Sequence, residues 1–258
     1  MAALEAGTKP PRYLLALESS SAEGGAALLA DGEPIANVRL SGGLRHGREL
    51  LPAAAGLLAR QGIVPAGLWA VGVSSGPGSY TGLRIGVMAA KALAYACGCR
   101  LAAVSSLAAV ALALFRIGLA ETGDWVLTAV DARRDELYVG LYLMEGAGVR
   151  PLAEDRALAP EEARKFLDGL EQEGVGLGDE KGKRRLRLAG NGFSAYPELF
   201  ARVNGEGAAI ALPDAIAVGQ LAWVRLASGQ KDDPMFLQPK YLRRDAGNGW
   251  QRDRLIEA

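Results

Sequence analysis

The stretch from Leu68 to Cys99, LWAVGVSSGPGSYTGLRIGVMAAKALAYACGC, leaves the folding chain few choices. The apolar run from Leu68 to Ser74 predicts a buried strand, and the weakly polar segment from about Thr81 to Cys97 predicts a helix. Between them Gly76, Gly78 and Gly82 supply backbone freedom, Pro77 holds one φ, and Ser79 or Thr81 can cap the first free N–H groups. A strand, a glycine turn and a helix N-terminus together present unpaired donors and a positive dipole end, which is where phosphates bind. Two standard nucleotide motifs are nevertheless absent. A P-loop needs Lys and Ser or Thr after its last glycine, whereas Leu83 and Arg84 follow Gly82, and the third glycine falls one residue late for a dinucleotide fingerprint. A close-packed turn without any ligand accounts for the same residues.

The helix imposes a second constraint. From Leu83 to Ala96 its only charged residues are Arg84 and Lys91, while Gly86, Ala89, Ala90, Ala92 and Ala94 keep its surface low. A helix with one wet face carries a polar stripe as wide as its apolar one, and this one does not. It needs cover on two sides, one from its own sheet and the other from a second helix of the chain or from a partner subunit.

With 258 residues, half of them apolar, the chain can build one large or two small domains. The 29 basic residues balance 29 acidic ones, which argues against a chain whose main work is unaided nucleic-acid binding. Cys97 and Cys99 lack the spacing of a zinc site and are too few for a disulfide framework, so reduced thiols and a cytoplasmic location are expected. No basic segment followed by an apolar run opens the sequence, so no signal peptide is expected. LAAVSSLAAVALALF, Leu101 to Phe115, falls short of the ~20 residues a bilayer needs; with Ser105 and Ser106 as a cap it predicts a strand end and a buried helix.

In chain order, 1–11 reads as a flexible lead. Strands follow at Tyr13 to Leu17, Gly25 to Ala30 and Pro34 to Leu40, joined by turn formers into an antiparallel meander, and then a helix from Arg48 to Arg60. After the central strand, turn and helix comes a strand at Leu101 to Val104. The pattern then restarts: a helix from Ser106 to Ile117, a hairpin of Trp125 to Val130 and Glu136 to Met144 around Asp131 to Asp135, and a strand from Arg150 to Leu158. A helix from Pro160 to Leu170 leads to a charged loop over Glu171 to Lys183, a strand at Leu186 to Ala189, a Gly190-Asn191-Gly192 turn and a short helix at Tyr196 to Phe200. Ala208 to Leu212 precedes a last helix from Asp214 to Ser228, and 245–258 reads as a flexible terminus. This order predicts an α/β fold of two lobes: 12–104 with 214–230 as the first, 105–213 as the second and smaller.

Candidate chemistry is sparse. His46 is the only histidine, which removes most metal sites and most histidine-based triads, and its glycine-flanked loop suits a solvated or capping role. Glu18, Asp131 and Glu136 stand at strand ends, where carboxylates hold Mg²⁺ or place water; alternatively Asp131 pairs with Arg133 and Glu18 accepts from Ser20 and Ser21. The basic run Lys181, Lys183, Arg184, Arg185, Arg187 reads as a solvated loop.

LLALESS, HGRELLP, SSGPGSYTGLRIG, DARRDELYVGLY, GNG and PKYLR occur in this order from Tyr13 to Arg243. Together they resemble the bacterial TsaB family of tRNA threonylcarbamoyladenosine biosynthesis proteins. The resemblance implies a two-lobed actin-like ATPase (ASKHA, ribonuclease H-like) fold with mixed sheets flanked by helices. It implies a non-catalytic subunit, without an intrinsic cofactor, that binds and activates the catalytic relative TsaD together with the ATPase TsaE. That machinery places threonylcarbamoyl on N6 of adenosine 37 in tRNAs reading ANN codons. ATP or ADP with Mg at the complex interface, a homodimer when alone, only indirect contact with tRNA and no membrane association are further expectations. The metal-binding HxxxH pair of the catalytic relative is missing, since Leu50 stands four residues after His46.

The resemblance also implies that the two first-lobe helices form the subunit interface, through Leu50, Leu51, Ala54, Leu57, Leu58, Ile85, Gly86, Met88, Ala89, Ala90, Leu93 and Ala94. The candidate nucleotide positions are Glu18, Ser19, Gly76, Gly78, Ser79, Thr81, Gly82 and Arg84. Glu18 departs from the usual Asp at the end of the first strand. Two competing readings are an independent nucleotide-dependent phosphotransferase or ATPase using the glycine corner, and a peptidase, for which His46 lacks a recognisable nucleophile.

Overall fold

The computed structural model describes residues 10–41, 46–146, 148–177, 184–200 and 212–242. In chain order the elements are β1 (Tyr13–Glu18), β2 (Gly25–Ala30), β3 (Glu33–Arg39), α1 (His46–Arg60), β4 (Leu68–Gly76), α2 (Tyr80–Cys97), β5 (Arg100–Ser105) and α3 (Ser106–Arg116). The chain continues with β6 (Trp125–Asp131), β7 (Leu137–Glu145), β8 (Gly148–Pro151), β9 (Arg156–Leu158), α4 (Pro160–Gln172), β10 (Val175–Leu177), β11 (Arg184–Ala189), α5 (Gly192–Ala195) and α6 (Ala215–Ala227).

The first sheet has the order β3-β2-β1-β4-β5, antiparallel through the meander and parallel where α1 and α2 provide the crossovers. The second, β10-β11-β6-β7-β8, repeats the arrangement of an antiparallel meander with parallel strands beyond its first member; β9 also pairs with β7. Both sheets are mixed and flanked by helices, the α/β arrangement that the order of elements predicts.

Period-two alternation sorts the side chains of β1. Leu15 and Leu17 join the core beneath α1 and α2, and Leu14 and Ala16 join the core shared by α3 and α6. Both faces are covered, which is why the strand reads LLAL without polar alternation. The α3–α6 layer also receives Val126, Tyr138, Tyr142 and Met144 from the second sheet, so the two sheets enclose one continuous core. The far face of the second sheet packs on α4 with Leu167, Phe193 and Phe200.

Helix α3 is buried from Ser106 to Leu114, with Ser105 capping the N–H groups of Leu107 and Ala108. A helix that is apolar all round must be enclosed, and each buried Leu or Val stabilises by about 1.5–3 kcal/mol. Among the described residues no helix is long and apolar enough to cross a membrane.

Several boundaries depart from the sequence reading. The strand expected over Arg150 to Leu158 is two, β8 and β9, both annealed to β7. The loop expected from Glu171 begins after Gln172 and contains β10, while 178–183 lie outside the described residues, as do 208–211. The short helix forms at Gly192–Ala195, ahead of its expected place at Tyr196, and Tyr196 to Phe200 is bend and turn. The basic run is largely a strand: Arg185 donates to Asp124 and Glu121, both at 2.6 Å, and Arg187 to Asp124 at 3.3 Å. Asp124 is buried, and a buried carboxylate requires such partners, found here some sixty residues away in the chain. Lys181 and Lys183 lie outside the described residues.

Candidate functional site

The glycine corner is built as β4 ends and α2 begins. Gly76 has φ +122°, open to glycine and strained for other residues, and the Gly76–Pro77 peptide is cis. Ser79, rather than Thr81, is the cap, its Oγ accepting from Gly82 N at 3.2 Å. The loop after β1 seats directly on this turn. Ser79 N donates to Ser20 O at 2.8 Å, and Ser19 Oγ donates to Gly82 O at 2.8 Å.

The glycines make that contact possible. A Cβ at Gly78 would overlap Ser20 O, one at Gly82 would overlap Ser19 O, and one at Gly86 would overlap Ser19 Oγ. On the other side, a Cβ at Gly76 would overlap Lys240 O. Gly76, Gly78 and Gly82 thus accommodate the chain's own backbone, with Ser19 buried among them, while Ser79, Thr81 and Arg84 are exposed at the helix start. This close packing accounts for the glycines without a ligand.

Glu18 is fully buried beneath this loop. Its Oε1 accepts from the N–H and the hydroxyl of Ser20, both at 2.5 Å, and the buried Ser74 hydroxyl of the neighbouring strand acts on the same carboxyl. Burial pushes the Glu18 carboxyl above its ordinary range, opposed by the Ser20 and Ser74 hydroxyls and by the N–H groups of Ser20 and Ser21.

Asp131 holds its turn as the local reading anticipates, accepting from Arg133 N at 2.8 Å with the Arg133 guanidinium at 3.6 Å. Asn191 Oδ1 accepts from Asp131 N, tying the second sheet to the GNG turn, and the Glu136 carbonyl closes the hairpin on Ala132 N. The His46 side chain lies outside the described residues. Cys97 and Cys99 are free thiols, and burial, then the neighbouring Cys97, pushes Cys99 up to about 11.

The helix pair presents a different surface from the one expected. Leu50, Ala54, Leu57, Leu58, Gly86, Ala89, Ala90 and Ala94 are buried, most of them in the core against β1, β2 and β4; Ile85 and Leu93 are half-buried. Of the twelve candidates only Leu51, 46% exposed, and Met88, 61% exposed, face outward. The apolar stripe that periodicity detects is the one each crossover helix needs to cover its own sheet.

Tyr80, Thr81, Arg84, Met88, Ala92, Tyr95 and Ala96 are exposed on α2 and Lys91 is half-buried; of these, Tyr80, Arg84, Met88, Lys91 and Tyr95 fall within an arc of about 80° at ~100° per residue. That spacing was available in the sequence, but polar and aromatic positions hid it. The second cover of α2 is a strap, residues 231–242, that follows α6. Asp232 N donates to Leu101 O at 2.8 Å and Asp232 Oδ2 accepts from Ala103 N at 2.7 Å, so the strap starts by capping the free edge of β5. It then runs back along α2. Lys91 Nζ donates to Leu237 O at 3.0 Å and Met235 O at 3.4 Å, Lys240 N donates to Ser75 O at 2.7 Å, and the Tyr241 ring lies 5.0 Å from that of Tyr80. Arg84 lies over Tyr80 at 4.2 Å while its Nε donates to the Tyr241 hydroxyl at 3.2 Å.

Comparison with known proteins places this geometry. The family model described as TsaD, tRNA N6-adenosine threonylcarbamoyltransferase, matches residues 42–245. The chain is 29% identical to the tRNA threonylcarbamoyladenosine biosynthesis protein TsaB of Haemophilus influenzae, over 90% of this chain and 94% of that protein. It is 28% identical to the TsaB of Escherichia coli, over 93% and 97% respectively. Among solved structures, YeaZ from Pseudomonas aeruginosa superposes with a TM-score of 0.73 at 29% identity, covering 90% of this chain and all of that one. Since the family match takes in α1, β4, α2, β5, the whole second sheet, α6 and the strap, well over half of the chain, the chain belongs to the family that the TsaD model describes and groups within it with the TsaB proteins.

Proposed function

We propose that this chain is a non-catalytic subunit of the cytoplasmic machinery that forms N6-threonylcarbamoyladenosine at position 37 of tRNAs reading ANN codons. In this reading it binds and activates a TsaD-like catalytic subunit, together with a TsaE-like ATPase, and meets tRNA only indirectly. A place in tRNA threonylcarbamoyladenosine biosynthesis rests on the TsaB relatives. The docking role rests on one observation above others: the outward side of α2, with Met88 at 61% and Tyr95 at 78% exposure, remains bare after the sheet, α1 and the strap have taken the rest. Aromatic and methionine side chains in such positions are the residues that anchor protein interfaces. The filled glycine corner favours placing any ATP or ADP with Mg at a junction shared with the partner, and disfavours an independent nucleotide enzyme.

The test is threonylcarbamoyladenosine formation on tRNA from threonine, bicarbonate and ATP, with all other components purified, with and without this chain. Loss of product on its omission is expected, and Met88→Glu should abolish the complex with the catalytic subunit while leaving the melting temperature of the chain unchanged. Undiminished product without the chain would refute the subunit role.

A further inference from the structure

We propose that Asp155 is a latch that ties the second sheet to the first turn of α3 and, through that turn, sets the glycine corner and the end of the strap. The proposal goes beyond the docking role and does not depend on it. Asp155 stands in the connection between β8 and β9, and both of its carboxylate oxygens are used. Oδ1 accepts from the hydroxyl of Tyr142, a buried residue of β7, and Oδ2 accepts from Ser105 Oγ at 2.5 Å. No cation is paired with this carboxylate among the described residues. Its charge is met instead by two hydroxyl donors and by the N-terminal end of α3, where the helix dipole favours an anion. Burial, then the Asp155 charge, pushes the Tyr142 phenol well above its ordinary value, so the phenol stays a donor. Gly140 is required beside the pair: a Cβ there would stand 2.7 Å from both Asp155 Oδ1 and Tyr142 Cε2.

The same turn of α3 reaches the other half of the molecule. Ser105 Oγ donates to Asp155 while it accepts from Leu107 N at 3.1 Å and Ala108 N at 3.3 Å, so its one proton is committed. Next in the chain, buried Ser106 donates to Pro77 O, inside the glycine corner. On the other side Val104 O accepts from Ser75 Oγ at 3.3 Å, and Ser75 O accepts from Lys240 N of the strap at 2.7 Å. Residues 104–106 thus join Asp155 to the corner and to the strap through a short series of hydrogen bonds. Such a series carries coupling when an element shared by both ends has two arrangements. That element is the first turn of α3. Latched, its cap is oriented by the carboxylate; released, the Ser105 hydroxyl turns freely and the cap weakens. The β8–β9 connection, exposed at Glu154, is then the place from which the corner and the strap are loosened.

Amide hydrogen exchange of the full-length chain, read residue by residue by NMR, tests the latch. In Asp155→Ala the N–H groups of Ser79, Gly82 and Lys240, which close the corner and the strap end, should exchange about tenfold faster or more relative to those of Leu15 and Leu28 in the meander. Tyr142→Phe keeps the ring and removes one of the two donors; it should move the same ratio in the same direction by less, and it carries the test if Asp155→Ala does not fold. Asp124→Ala weakens the second sheet at Arg185 and Arg187 without touching the latch, and should leave the ratio as in the wild type. A ratio unchanged in the latch variants, or raised as much by Asp124→Ala, would overturn the proposal.

Discussion

Gly82→Ala separates what helix propensity predicts from what packing dictates. Replacing a helical glycine by alanine gains up to about 1 kcal/mol, because the unfolded chain loses more freedom with glycine. At Gly82 the added methyl would overlap the Ser19 carbonyl oxygen and stand 3.2 Å from both Ser19 C and Ser79 Cβ. The obstacle is backbone, so the methyl cannot be accommodated by a side-chain rotation; forcing it in costs typically 1–3 kcal/mol. Separating the two segments also strains the Ser19 Oγ to Gly82 O bond, about 1 kcal/mol more. The balance is a loss of roughly 1–3 kcal/mol, a fall in melting temperature on the order of 2–10 °C for a chain of this size. Gly56→Ala, in α1, is the control, since its methyl would meet only the Arg60 Nη1 at 3.5 Å and should therefore stabilise by up to about 1 kcal/mol. Thermal melts followed by circular dichroism read both variants. If Gly82→Ala melts at or above the wild type, the contact of the glycine corner with Ser19 is not what holds the corner closed.

Two further predictions concern buried charge. Burial raises the Glu18 carboxyl above its unfolded value, so the folded state keeps a proton that the unfolded chain releases. Wild-type stability is then greatest below the unfolded value and declines as pH rises toward the folded one. Glu18→Gln removes this dependence: its melting temperature relative to the wild type should climb as pH rises above the ordinary carboxylate range, and a constant difference would refute the assignment. Asp124→Ala leaves Arg185 and Arg187 without their shared buried partner and should cost about 2–4 kcal/mol, less than a fully buried pair because both guanidinium groups reach solvent; a urea midpoint close to wild type would show the pairs to be dispensable.

Much of the fold was legible because its signals are local. The central strand, turn and helix, the meander before it and the wholly apolar α3 each follow from periodicity, turn residues and caps within a few positions. The misplacements fall where the signal is weak: the β8–β9 break, and the short helix at Gly192 rather than Tyr196. The candidate site was legible in location but not in facing. Leu50, Leu57 and Ala90 are on the expected helices, yet they point into the core, because a stripe of apolar residues says that something covers it and not what.

By itself the sequence determined that α2 must be covered on both sides, that its N-terminus must be a tight glycine turn, and that the chain carries the motifs of its family. Those follow from residue types at fixed spacing. Only the tertiary structure decided that the second cover is the chain's own strap, more than a hundred residues later, and that the glycines sit against Ser19 and Ser20. It also decided that Asp124 answers Arg185 and Arg187. Each of these depends on segments distant in sequence meeting at a few ångströms, where exclusion of a single methyl group or the pairing of one buried charge selects among arrangements that local propensity leaves equal.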